Sequence, residues 1–156
     1  MACERTRGDH AAMHKPVTRP GIRVFLAEDS LPVRERIARL LSAAPAAMQV
    51  VGQAATPEDS IVGIAACQPD VVVLDVHLQG GAGLQVLRHT RQQQPHVAFV
   101  VLSNNTEPAY RRRYLGDGAH EFLDKSTEFD RLPEAVAHAH AHARAPSQGV
   151  PPCPCP

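Results

Sequence analysis

The sequence contains no tryptophan, and four phenylalanines and two tyrosines bring the aromatic share to only 4%. A core built from it must rest on aliphatic side chains. No stretch approaches the roughly 18 consecutive apolar residues of a membrane span, and the N-terminal MACERTRGDHAAMHKP lacks the apolar centre of a secretory signal. Both absences predict a cytoplasmic protein with no membrane attachment. An excess of basic charge is missing too, with 16 Lys+Arg against 16 Asp+Glu and a formal net charge of +0. Direct nucleic-acid binding, which relies on basic residues against phosphate, is therefore not expected. Cys3, Cys67, Cys153 and Cys155 lie near the two ends and on one expected helix, without the spacing of a disulfide framework, and are read as reduced thiols. Lysine is the scarcest charged residue: of 16 basic residues only Lys15 and Lys125 are lysines.

What is present is a regular alternation. At 156 residues the chain has room for one ordinary domain with loose ends. Residues 1–20 mix charges and prolines without apolar periodicity, and residues 144–156 are proline-rich, so both ends are expected to be disordered. Between them, over residues 21–143, short apolar runs alternate with segments of helical period. The run Ile22 to Ala27 ends in Glu28 and Asp29; Ser30 then offers an N-cap, and Val33, Ile37, Leu40 and Leu41 share a helical face up to Pro45. Leu31, Ile37 and Leu40 are assigned to the core. A second strand, Gln49 to Ala54, precedes a helix capped by Thr56 and closed by Pro69. The third run, Val71 to Leu74, is apolar at every residue before Asp75, the pattern of a parallel strand covered on both faces. A loop at Gly80 to Gly83, a helix through Leu84 and Leu87, a fourth strand ending at Ser103, a helix opened by Pro108, a fifth strand at Glu121 to Lys125 and a helix from about Phe129 complete the pattern. Five such units predict an α/β fold: a doubly wound, five-stranded parallel sheet of order 2-1-3-4-5.

In open sheets of this kind ligands bind beyond the carboxyl ends of the strands, where strand order reverses. The unusual polar residues fall there: Glu28 and Asp29 after the first strand, Asp75 at the end of the third, Ser103 of the fourth and Lys125 of the fifth. Three acids at short range repel one another unless a cation intervenes, and oxygen ligands with retained waters suit Mg²⁺. A metal-bound carboxylate, a small hydroxyl and an ammonium together can stabilise a transferring phosphoryl group, with Asp75 as nucleophile. Lysine fits this role as a compact point charge where a guanidinium fork would not.

The segments AEDS, VVVLDVHLQGGAGLQVL, VVLSNN and FLDKS, in this order, resemble the receiver domain of two-component response regulators, a family of flavodoxin-like fold. The resemblance implies that Asp75 is the phosphoacceptor, that Glu28 and Asp29 hold Mg²⁺ with the backbone carbonyl of His77 as a further ligand, and that Lys125 contacts the phosphoryl group. It also implies that Ser103 is the switch hydroxyl and Phe122 the aromatic switch residue. A sensor histidine kinase or phosphotransfer protein would be the donor, self-phosphorylation and slow self-hydrolysis the only chemistry, and a downstream protein the target. The fourth and fifth helices and the fifth strand would form its contact surface, which is also a possible homodimer face. Too little chain is left for an output domain, so a single-domain regulator is expected. Gln79 stands where the family usually has proline, and Asn104 where it usually has a small residue; His77 and Asn105 occupy positions that, by the same resemblance, tune dephosphorylation in the family.

The alternatives are a degenerate receiver serving as a constitutive binding module and an Asp-nucleophile phosphatase. The latter resembles Asp-x-Asp at this strand, where the chain has His77, and a nucleotide binder would not carry the acidic pair Glu28-Asp29 after its first strand. Arg111, Arg112 and Arg113 are read as a solvated face that could also meet a partner. His138 and His142 share a helical face with chelating reach, and His140 points elsewhere. Their plainer reading is a solvated helix end with cations favoured by the helix dipole.

Overall fold

The computed structural model describes residues 21–145. The expected disorder of residues 1–20 and 146–156, with Lys15, Cys3, Cys153 and Cys155, lies outside the described residues. Strand β1, Ile22–Ala27, is buried from Val24 onward, and its neighbours are β2, Met48–Ala54, and β3, Val71–Asp75, buried at every position. Strands β4, Ala98–Ser103, and β5, Glu121–Asp124, extend the sheet. All five are parallel, in the expected order β2-β1-β3-β4-β5. Alternation along each strand then supplies both faces with apolar side chains.

Two helices cover one face and three the other. Helix α1, Leu31–Ser42, and α5, Leu132–Arg144, pack Ile37, Leu41, Leu132 and Val136 onto Val24, Leu26, Val71 and Val73. Across the sheet, α2, Pro57–Cys67, α3, Gly83–Gln93, and α4, Pro108–Gly116, bring Ile64, Val86, Leu87 and Tyr114 against Phe25, Val72 and Leu74. Caps define the first two helices: Ser30 Oγ accepts from the Val33 amide at 3.4 Å and Thr56 Oγ1 from the Asp59 amide at 3.1 Å. These satisfy amides that a helix start otherwise leaves unpaired.

Three details correct the sequence expectations. Leu31, assigned to the core, is 55% exposed; it sits in the first turn of α1, out of phase with Ile37 and Leu41 at about 100° per residue. Arg144, placed in the tail, is the last residue of α5, and a 3-10 turn at Phe129–Arg131 precedes that helix. The glycine-rich loop is more structured than expected. His77–Leu78 and Gly81–Ala82 pair as a short antiparallel hairpin, and Gly83 opens α3 instead of closing the loop.

Gly83 brings the start of α3 close against the end of β3. Its amide donates to the Val76 carbonyl at 2.8 Å, and a Cβ at this position would overlap the Asp75 carbonyl oxygen. Backbone cannot yield as a flexible side chain can. Gly83→Ala is expected to lower unfolding free energy by about 1–3 kcal/mol, the usual cost of overpacking. The check is a lower urea midpoint at unchanged slope.

Candidate functional site

Parallel strands end on the same edge of the sheet, so the residues that terminate them meet there. Ala27 stands opposite Leu74 in the β1–β3 register, which brings the following Glu28 beside Asp75. Carboxylate oxygens of Glu28, Asp29 and Asp75 all lie within 4.8 Å of one another. Glu28 and Asp75 are buried and Asp29 is exposed. Lys125 follows β5; its amide donates to the Ser103 carbonyl at 2.9 Å, fixing the backbone beside β4. Its side chain then reaches across to both buried acids, with Nζ 2.6 Å from Glu28 Oε2 and 2.9 Å from Asp75 Oδ2. The remaining carboxylate oxygens accept backbone amides, Glu28 Oε1 from Ser30 at 3.2 Å and Asp75 Oδ1 from His77 at 3.3 Å.

Burial dominates the electrostatics. It pushes Glu28 up to about 7, an effect the Lys125 hydrogen bond only partly opposes and the Asp75 charge reinforces. For Lys125, burial acts downward, but the bonds to Glu28 and Asp75 outweigh it and hold the ammonium above its ordinary value. Lys125 is thus a fixed positive charge between two carboxylates. The donor set suits a hard divalent cation: three carboxylates with oxygen ligands in mutual reach, one of them open to water. Magnesium, which keeps several waters, fits such a set.

The other expected residues lie close by in different states. Ser103 is fully buried, and its Oγ accepts from the Asn105 amide at 3.0 Å, while Asn105 Oδ1 accepts from the Glu107 amide at 3.1 Å. Among the described residues its hydrogen bond therefore runs to the loop and not to Asp75 or Lys125. Phe122 points inward, 3% exposed, with its ring 6.1 Å from that of Tyr114. Arg111 stands over the Phe122 ring at 5.9 Å and donates from Nη1 to the Phe122 carbonyl at 3.2 Å. Sequence reasoning saw Arg111 only within a basic run; no periodicity marks a contact that depends on α4 lying beside β5. At the rim, exposed His77 meets Tyr110 edge-on with centroids 6.4 Å apart, Asn104 is exposed, and the Gln79 amide donates to the Ala55 carbonyl at 2.9 Å.

Residues 24–137 match the family described as the response regulator receiver domain. The chain belongs to that family. The receiver is 32% identical over 115 residues to the response regulator GacA of Pseudomonas aeruginosa, covering 74% of this chain and 53% of that protein. It is 30% identical over 115 residues to a transcriptional regulatory protein, YvfU, of Bacillus subtilis, covering 74% and 57%. Among solved structures, the signal receiver domain of the response regulator NarL from Mycobacterium tuberculosis superposes with a TM-score of 0.72 at 30% identity. That match covers 78% of this chain and 97% of the other. The receiver spans about half the length of the curated relatives it matches. No helix among its described residues is long and apolar enough to cross a membrane.

Proposed function

We propose that this receiver accepts a phosphoryl group on Asp75 from a histidine kinase or phosphotransfer protein and signals through a changed protein-binding surface. The observation that carries this reading is the double contact of Lys125 Nζ with Asp75 and Glu28, two acids whose carboxylate oxygens lie within 4.8 Å of that of Asp29. Glu28, Asp29, Asp75 and the His77 carbonyl would hold Mg²⁺. Bound there, the ion supplies positive charge against the phosphoryl oxygens. An Asp75 carboxylate oxygen attacks phosphorus, the bond from phosphorus to the donor's imidazole nitrogen breaks, and that nitrogen keeps the electron pair. An acyl phosphate results, and Lys125 exchanges its Asp75 contact for a phosphoryl oxygen.

The state of Ser103 is compatible with a switch. A hydroxyl has one proton to donate and two lone pairs, so Ser103 can keep accepting from Asn105 while donating to the phosphoryl group. That donation draws the β4–α4 loop toward Asp75. Phe122 and the Arg111 clasp on its carbonyl carry the shift to the face built from α4, β5 and α5. A downstream protein, or a second copy in a homodimer, would read that face. The receiver's own chemistry is confined to self-phosphorylation and self-dephosphorylation at Asp75, and it acts in the cytoplasm without direct nucleic-acid contact.

Incubation with acetyl phosphate and Mg²⁺ tests the proposal by intact mass. One phosphoryl adduct per chain is expected, lost in Asp75→Asn and lost when EDTA replaces Mg²⁺. Absence of an adduct in the parent would instead favour a binding module that does not turn over. Asn104, exposed beside Ser103, bears on the rate of entry. Asn104→Ala is expected to speed labelling; unchanged or slower labelling contradicts a steric role for its side chain.

A further inference from the structure

Away from the acidic site, three histidines and a glutamate gather where the start of β5 meets α5. His138 and His142 are one turn apart on the helix, both exposed, with ring centroids 6.2 Å apart. His120, just before β5, sets its ring against His142 at 6.1 Å. Glu121, the first residue of β5, places Oε1 2.7 Å from His138 Nδ1. Helical spacing alone predicts the first pair, whereas His120 and Glu121 are brought in by the fold.

Proton positions follow from the partners. A carboxylate only accepts, so Nδ1 of His138 carries a proton, and in the neutral ring Nε2 keeps a free lone pair. This is the arrangement by which a carboxylate orients a metal-binding imidazole and raises its basicity. His120 is the reverse case. Its Nδ1 accepts from the Phe99 amide at 3.2 Å, so its proton sits on Nε2 and the ring has no lone pair to offer.

We propose that His138 and His142, with Glu121 as the orienting carboxylate and His120 as a fixed wall, form a chelating site for a divalent transition ion of the zinc, nickel and copper class. Imidazole nitrogen suits these ions, whereas the oxygen-only acidic site suits magnesium. Two imidazoles on one tetrahedral ion, each at about 2.1 Å, hold their centroids about 5 Å apart. Rotation of the exposed His142 ring closes the remaining gap. The adjoining recess of about 410 Å³ is lined by Glu121, Glu134, Arg131 and His138. Glu134, one turn before His138, adds negative charge, and Arg131 is drawn off by Glu128 at 2.8 Å. Water would complete the coordination. Glu121 opens β5 and Lys125 follows its end, so the two sites lie at opposite ends of one strand.

Zinc titration of the full chain, ¹⁵N-labelled at histidine and kept in saturating Mg²⁺, reads each ring nitrogen separately by NMR. One equivalent is expected to shift His138 Nε2 and one nitrogen of His142 and to leave His120 unmoved. His138→Gln and His142→Gln should each abolish the stoichiometric transition, and Glu121→Gln should weaken binding by about 10–100-fold. His140→Gln should change nothing, because His140 lines a separate recess with Asp70 and His96. Zinc capture that survives His138→Gln, disappears in Cys153→Ser/Cys155→Ser, or metallates His120 would overturn the proposal.

Discussion

Lys125→Ala is expected to slow labelling by acetyl phosphate by about 10²–10³-fold, the cost of removing one preorganised electrostatic donor from a reacting centre. The ammonium is held by two charge-assisted bonds, at 2.6 and 2.9 Å, from acids on two different strand ends. It is therefore in position before a phosphodonor arrives. Lys125→Arg should recover little of the loss, because a planar guanidinium cannot occupy the point between Glu28 and Asp75 that a single nitrogen fills. That contrast separates position from charge: if arginine restored the parent rate, charge alone would suffice and the geometric argument would fail. The rate is read by intact mass at fixed acetyl phosphate and saturating Mg²⁺. Near-parent labelling in Lys125→Ala would remove the residue from the chemistry.

The second large effect is a pH dependence of the metal-free protein. Folded Glu28 holds its proton up to about 7, whereas its ordinary value is 4.5, with burial as the main cause. Between these values the folded state binds a proton that the unfolded state has released. The Glu28 contribution to stability is therefore complete below the lower value and is lost as pH rises through the upper one. Its size is on the order of 3 kcal/mol from the displacement between those values. His120 works in the opposite sense: burial, then the Arg91 and His142 charges, lower its value, so its contribution is present above 6.5 and lost as pH falls. Comparison with Glu28→Gln isolates the first effect. In EDTA, the difference in urea midpoint between parent and variant is expected to move against the parent from about pH 5 to about pH 8. A difference that stays constant across that range would mean that Glu28 does not titrate as its burial requires. Mg²⁺ competes with the same proton, so its addition at high pH should return stability to the parent.

The strand ends were legible because their pattern is unambiguous. Val71 to Leu74 is apolar at every position, as a short strand buried on both faces requires, and Asp75 closes it. Once the sheet is parallel and ordered β2-β1-β3-β4-β5, Glu28, Asp75, Ser103 and Lys125 must share one edge. Finer features depend on quantities that spacing does not encode. The bond between Lys125 and Glu28 joins residues 97 positions apart and needs a particular rotamer. Ser103 ends its strand as the pattern requires, but that its Oγ accepts from the Asn105 amide depends on the conformation of the following loop, which spacing does not encode. Leu31 misled because an apolar residue at a helix start can lie outside the buried stripe. The Gly81–Ala82 hairpin strand, two residues long, is too short to leave a period. His120 and Glu121 gained meaning only when α5 was laid against β5.

The central claim is that Asp75, and neither of its two acidic neighbours, takes the phosphoryl group. Borohydride reduces an acyl phosphate, converting the modified aspartate to homoserine, and fragmentation mass spectrometry locates the change. After labelling with acetyl phosphate and Mg²⁺, the account predicts homoserine at position 75 alone. Modification at Asp29 or Glu28, or a stable adduct with position 75 unchanged, would contradict it.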